Sequence, residues 1–177
     1  IENPGAAFGF QLGGDYGKLT ITGGNFTGKV AIEALRGAQA AIGGSETVVT
    51  GKPAVRSNGA ASKIVITEGT FSGAIASLGS GPLEVSGGSF DTYNSRLADS
   101  LVKGMLLTSG ADGVYTLITT EQALENGAVA AREKLPYDTL QGAINDARYN
   151  NEIMLLRDVT EDITIAKGKK FTLDLNS

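Results

Sequence analysis

The chain has no cysteine, no histidine and no tryptophan among its 177 residues, and only four prolines. Without cysteine there are no disulfides, no thiolate metal sites and no cysteine nucleophile. Without histidine the commonest general base, the Ser-His-Asp triad and the usual zinc ligands are all gone. The net charge is −4 and no basic run appears, which argues against a nucleic-acid partner. No apolar run approaches the roughly 18 residues of a membrane helix, so membrane insertion is not expected. Aromatic residues make up 6% of the chain. Its apolar content is mostly Ala, Val, Ile and Leu, which suits narrow stacked layers better than a thick sandwich core. The sequence opens on Ile1 without a signal peptide, and we read it as a mature product or an excised fragment.

What the chain has in quantity is glycine, 25 residues without the Gly-X-Y period of collagen. Many of these glycines belong to an octapeptide that occurs three times: Leu19-Thr-Ile-Thr-Gly-Gly-Asn-Phe26, Ile64-Val-Ile-Thr-Glu-Gly-Thr-Phe71 and Leu83-Glu-Val-Ser-Gly-Gly-Ser-Phe90. Each copy alternates apolar and small polar residues, turns on glycine, and then places a phenylalanine. Alternation over four residues predicts a short strand with one buried face, so Leu19, Ile21 and Phe26 point inward and Thr20 and Thr22 outward. The glycines supply the positive φ that a sharp corner needs. Between the first two copies, the segment Leu35–Gly51 keeps the Thr-Gly ending, but its glycine–phenylalanine corner reads as lost. The first half therefore reads as four coils of about 19 to 23 residues, the second of them degenerate, a period that marks a solenoid. Val30–Leu35 has the propensity for a helical turn, but the Thr-Gly corner before it favours a strand.

A short solenoid has open strand edges, and these invite further pairing, including end-to-end self-association. The sequence after Phe90 answers this with a helix over Asn94–Lys103, with Ser95 as N-cap and Leu97, Leu101 and Val102 on one face. Met105–Thr108 and Val114–Ile118 then flank a glycine-rich loop as a hairpin. Helix and hairpin together predict a plug over the last coil. In the last third charges become denser. A short helix over Glu121–Glu125 is capped by Thr119 or Thr120. A second runs over Tyr137–Tyr149, capped by Asp138 or Thr139, with Leu140, Ala143, Ile144 and Ala147 as its apolar stripe. Strands are predicted at Glu152–Val159, Asp162–Ala166 and Lys170–Leu175. This helix-then-strands order reads as the start of a second solenoid that continues past Ser177.

The pattern Tyr137-x-Thr-Leu-Gln-x-Ala-Ile144, Ile153-Met-Leu-Leu-x-Asp-Val159, Ile163-Thr-Ile165 and Lys169-Lys-Phe-Thr-Leu-Asp-Leu-Asn176 resembles a module of large surface or secreted repeat proteins of Gram-positive gut bacteria. Val85–Phe90, with Leu97, Gly104 and Asp112-Gly-Val-Tyr-Thr-Leu117, resembles the coil-plus-hairpin unit found beside it. The resemblance covers residues 80–177 closely and the earlier part loosely. Family members carry Gly-Asp before the Ile153 strand where this chain has Asn150-Asn151-Glu152, and their Leu-Asp-Leu-Asn-Gly ends here at Asn176-Ser177. The resemblance implies right-handed parallel β-helices of pectate-lyase-like type and an extracellular or cell-surface location. The fold expected is thus mainly β: a right-handed parallel β-helix over 1–92, a helix/hairpin cap over 93–118, and a C-terminal α+β segment over 119–177 starting a second, truncated β-helix.

For chemistry, a polysaccharide lyase or glycosidase site needs two carboxylates facing one groove, or an acidic calcium cluster with a basic proton acceptor. The candidates are Asp15, Glu33, Glu68, Glu84 and Asp91, with Arg36 or Arg56 nearby. Glu68 stands where the other copies have Gly24 and Gly88. The coils carry no paired-acid run, so no catalytic residue, metal ligand or cofactor is assigned. Asp112 in the Ser109–Gly113 loop reads as a turn residue rather than a calcium ligand. Tyr93, Tyr115, Tyr137 and Tyr149 would stack on sugar rings only if they shared a face. The hydroxyls of Thr20, Thr22, Thr67 and Ser86 would meet glycans or ice only from an outward ladder. As ligand-binding residues we single out Glu68, Tyr93 and Tyr115. The expected role is a non-catalytic structural or adhesion module, with glycans or host and cell-surface proteins as partners. The alternative is a carbohydrate-binding or carbohydrate-active β-helix.

Overall fold

The computed structural model describes residues 8–13 and 17–175. The chain divides into two compact units, one of Ile1–Val102 with Ser109–Leu117, the other of Lys103–Thr108 with Ile118–Ser177.

The first unit is built on twelve short strands: β1 (Phe8–Leu12), β2 (Lys18–Ile21), β3 (Gly24–Thr27), β4 (Val30–Leu35), β5 (Gln39–Ile42), β6 (Thr47–Thr50), β7 (Val55–Asn58), β8 (Lys63–Ile66), β9 (Thr70–Ser72), β10 (Ile75–Leu78), β11 (Leu83–Val85) and β12 (Ser89–Phe90). Each strand pairs in parallel with the strand three places further on, so β1-β4-β7-β10, β2-β5-β8-β11 and β3-β6-β9-β12 form three parallel ladders. The second ladder shelves Ile21, Ile42, Ile66 and Val85 above one another, and the third shelves Phe26, Val49, Phe71 and Phe90. Phe71 and Phe90 are wholly buried and stack with ring centroids 5.0 Å apart. Such a side chain contributes about 1.5–3 kcal/mol by burial. Val30–Leu35 is a strand, as the Thr-Gly corner predicts.

The ladders correct the reading of two corners. From Ile21 the shelf passes to Ile42, 21 positions on, then to Ile66, 24 on, and Val85, 19 on. The second corner is present, at Gly43-Gly44, but two extra residues, Ser45 and Glu46, follow it. Thr47 closes this insert with its N–H on the Gly44 carbonyl at 3.0 Å, and Val49 takes the phenylalanine's place. The obligatory glycines are Gly24, Gly69 and Gly88, with φ of 104°, 119° and 108°. Glu68 therefore aligns with Gly23 and Gly87, not with Gly24 and Gly88, and its own corner keeps the glycine it needs.

At the C-terminal end of these ladders each open edge meets a different partner. α1 (Ser95–Ser100) packs on β10 and β11, and its N-cap is Asn94, not Ser95. The Asn94 side chain accepts from Leu97 N–H at 2.8 Å and donates to the Ile75 carbonyl on β10 at 2.9 Å. Val102 N–H donates to the Val85 carbonyl on β11 at 3.0 Å. Two further strands are β13 (Met105–Ser109) and β14 (Tyr115–Thr119). The first residues of β14 pair antiparallel with β12, Tyr115 opposite Phe90 and Thr116 opposite Ser89.

In the second unit, α2 (Thr120–Glu125) starts on a capping box in which Thr119 and Gln122 bond each other's backbone N–H. A sheet in the order β16-β15-β17-β18 is made by β15 (Ala130–Arg132), β16 (Leu135–Tyr137), β17 (Asn151–Leu155) and β18 (Phe171–Asp174). α3 (Leu140–Asp146) is capped by Thr139, and Leu140, Ala143, Ile144 and Ala147 bury against Val129, Ala130 and Ile153. A second cluster joins Leu106, Ala123, Ala128, Ala131 and Leu156. The expected strand over 162–166 does not form. That segment stays exposed, held by the Gln141 amide, which accepts from Thr164 N–H at 2.7 Å and donates to its carbonyl at 3.1 Å. Gln141 supplies the bonds a neighbouring strand would have made.

Candidate functional site

Register in the β1-β4-β7 ladder brings Gln11, Glu33 and Arg56 side by side. Alternation sets them opposite the core-facing Ile32, Ala34 and Val55. Glu33 is nonetheless fully enclosed. Its Oε2 accepts from Gln11 Nε2 at 3.0 Å, and its Oε1 from Arg56 Nε at 2.6 Å and Asn58 Nδ2 at 3.0 Å. Burial pushes the Glu33 carboxyl up. Hydrogen bonds from Arg56, Gln11 and Asn58, with the Arg56 charge, outweigh burial and hold it below its ordinary value. The arrangement is a carboxylate fixed in its ionised form, with both oxygens engaged.

The other acidic candidates stand apart from it. Glu84, on β11, pairs with Lys63 at 2.7 Å on a partly exposed surface. Asp91, just past β12, accepts from Ser72 Oγ, from Gly73 N–H at 2.7 Å and from Thr92 Oγ1 at 2.8 Å. Burial raises its carboxyl, but these donors and the Lys52 charge bring it below its ordinary value. Arg36 is exposed at a turn, with φ of 49°. Asp15 lies outside the described residues. Glu33, Glu84 and Asp91 thus belong to three different ladders. Among the described residues no group of three or more acidic, histidine or cysteine side chains is placed to hold a metal. Asp112 accepts from Val114 N–H at 3.0 Å within its loop, as a turn residue does.

Of the three residues singled out for binding, two come together. Tyr93 and Tyr115 lie with ring centroids 5.5 Å apart and planes at 39°, both half-buried. Glu68 is exposed at its corner and makes no hydrogen bond or ion pair among the described residues. Tyr137 and Tyr149 belong to the second unit. Thr20, Thr22, Thr67 and Ser86 are all exposed, as expected of an outward ladder. Two of these hydroxyls also reach the backbone of the preceding rung, Thr67 Oγ1 donating to the Ile42 carbonyl at 3.3 Å and Ser86 Oγ to that of Ile66 at 3.4 Å.

The second unit holds a polar cluster that sequence reading missed. Arg132 Nε and Nη2 donate to Tyr137 Oη at 3.2 and 3.0 Å, and Nη1 to Glu133 Oε2 at 2.9 Å. Asn151 Nδ2 donates to Glu133 Oε1 at 2.6 Å, and Tyr137 Oη to Asp146 Oδ2 at 3.1 Å. Burial raises the Tyr137 phenol and Asp146 adds to this, with Arg132 opposing. The signal available was Arg132 five residues before Tyr137, which a tight hairpin makes neighbours. In the same unit an open cleft of about 290 Å³ is walled by Thr108, Ile118, Ala123, Asn126, Tyr137 and Asp138. It falls just short of the roughly 300–1,000 Å³ of ordinary ligand pockets.

No protein-family model, no curated protein and no solved structure matches this chain.

Proposed function

We propose that the chain is a non-catalytic structural or adhesion module of a bacterial surface or secreted protein. In this reading the first unit is a right-handed parallel β-helix capped by α1 and β14, and it presents a rigid face away from the cell. One observation carries the proposal: β1 to β12 pass in fixed rotation through three parallel ladders, so each coil buries its apolar face on the next. The right hand follows from the general handedness of parallel crossovers. The different partners on the β10, β11 and β12 edges support a cap. Engagement of the Glu33, Glu84 and Asp91 carboxylates in separate ladders supports a role without catalysis. The location rests on the resemblance of residues 80–177 to gut-bacterial surface repeats, as does the expectation that the second unit begins another β-helix.

The alternative, a carbohydrate-binding or carbohydrate-active β-helix, draws on the Tyr93–Tyr115 pair, since paired aromatic rings can offer a sugar an apolar face. A thermal-shift screen against plant and host glycans, with and without calcium, separates the readings. The structural reading expects flat melting curves and no release of reducing ends. Saturable stabilisation abolished by Tyr115→Ala, accompanied by reducing-end release, would replace it with an enzyme.

A further inference from the structure

We propose that the cleft of about 290 Å³ in the second unit binds a small cyclic primary amine as its ammonium ion. Its apolar walls are Ile118, Ala128 and Pro136, with Tyr137 beside them. Thr108 near the end of β13, Asn126 at the end of α2 and Asp138 between β16 and α3 bring polar side chains to the same cleft. Apolar walls with a few convergent polar groups are the usual make-up of a ligand site. The volume lies below that of drug-sized pockets and suits a single six-membered ring.

The three polar side chains are unspent. None of them makes a hydrogen bond or ion pair among the described residues. Asp138 precedes α3, yet that helix start is already served by others. Thr139 Oγ1 accepts from Gly142 N–H at 3.1 Å, and Glu161 accepts from Leu140 and Gln141 N–H at 3.1 and 3.3 Å. Asn126 closes α2 through its backbone N–H, on the Gln122 carbonyl at 3.0 Å, which leaves its carboxamide out of the cap. Charge then selects the ligand. Asp138 is the one charged residue walling the cleft, and no cation stands there to neutralise it. Arg157 donates to the Gly127 carbonyl at 3.1 Å, and Arg132 to Tyr137 and Glu133. The three donors of a primary ammonium match a carboxylate, a carboxamide oxygen and a hydroxyl, while the ring covers the apolar wall. An anion would meet Asp138 with like charge, and a neutral ring would leave the carboxylate unpaired. The inference uses the second unit alone, so its failure leaves the scaffold reading untouched.

Titration of the full chain with cyclohexylamine, and separately with cyclohexanol, followed through amide NMR shifts, tests it. At about pH 7 an alkylamine is protonated, as lysine is. Cyclohexylamine should shift the Thr108, Ile118, Asn126 and Asp138 amides saturably, with a Kd on the order of 1 mM. Cyclohexanol, the same ring without the charge, should bind at least about tenfold more weakly. Asp138→Asn should bring the amine down to the level of cyclohexanol while the rest of the spectrum stays in place. Asp138→Glu should keep amine binding within about threefold of the parent, a rescue that a folding defect would not give. Shifts that never saturate, or that centre on other amides, overturn the proposal. So does equal binding of amine and alcohol, or an amine affinity indifferent to Asp138→Asn.

Discussion

Glu33 shows how a single residue decides between competing costs. An enclosed carboxylate is expensive, and it stays ionised because Arg56, Gln11 and Asn58 all donate to it. Arg56→Ala should therefore destabilise the first unit by roughly 2–3 kcal/mol, between the values for exposed and fully enclosed pairs. Urea unfolding at about pH 7 reads this directly. The pH dependence has a definite sign. The folded carboxyl sits below 4.5, so its contribution is complete above the unfolded value and fades as pH falls through the lower folded one. In Glu33→Gln the gap in urea midpoint between about pH 7 and about pH 3 should shrink. An unchanged gap would show that Glu33 does not carry it. Gly73 is the second decisive residue. Its φ is 111°, and a Cβ there would run into the Gly51 carbonyl oxygen of the preceding rung. Gly73→Ala should lower stability by at least about 1–3 kcal/mol from backbone strain alone, visible as a fall in Tm.

Elements were legible in the sequence where local pattern and tertiary neighbours agree. The strands around Ile21, Ile66 and Val85 announce themselves because alternation, a positive-φ glycine and a phenylalanine recur together. α3 was legible because Thr139 and the stripe from Leu140 to Ala147 satisfy both cap and core. The β15–β16 hairpin was not, because its turn is Glu133-Lys134, with φ of 48° and 67°, where such turns ordinarily carry Asn-Gly. The Arg132–Tyr137 cluster was hidden with it. The Glu33 array was hidden for another reason. Its partners lie 22 to 25 residues away, and for Arg56 and Asn58 that spacing includes a rung lengthened at Ser45-Glu46, which shifts register invisibly. Residues 162–166 mislead in the opposite sense: alternation is present but, among the described residues, no strand pairs with them to use it. Gln141→Ala removes the amide that stands in for one. The Thr164 amide should then exchange about as fast as an unprotected one, and the α3 core should remain folded, a contrast that hydrogen exchange measures.

At the scale of the whole first unit, stacking makes stability a matter of neighbours. A rung in the middle of the ladders is covered on both sides, whereas a terminal rung is covered on one. The two ends also differ. On the β10–β12 side, Asn94, Val102 and β14 take up the open edges, while β1, β2 and β3 each pair with one strand only among the described residues. Local opening should therefore begin at β1–β3 and advance inward, and should not begin equally from both ends. Hydrogen exchange under native conditions would show the slowest amides on β5 and β8, with protection falling steeply towards β2 and only slightly towards β11. Asn94→Ala, which removes the bond to Ile75 and the α1 cap together, should cost about 1 kcal/mol and lower protection on β10 specifically. Equal fraying at both ends in the parent chain would mean that α1 and β14 cover nothing of energetic consequence. The rungs would then have to be held by their shelves of isoleucine and phenylalanine alone.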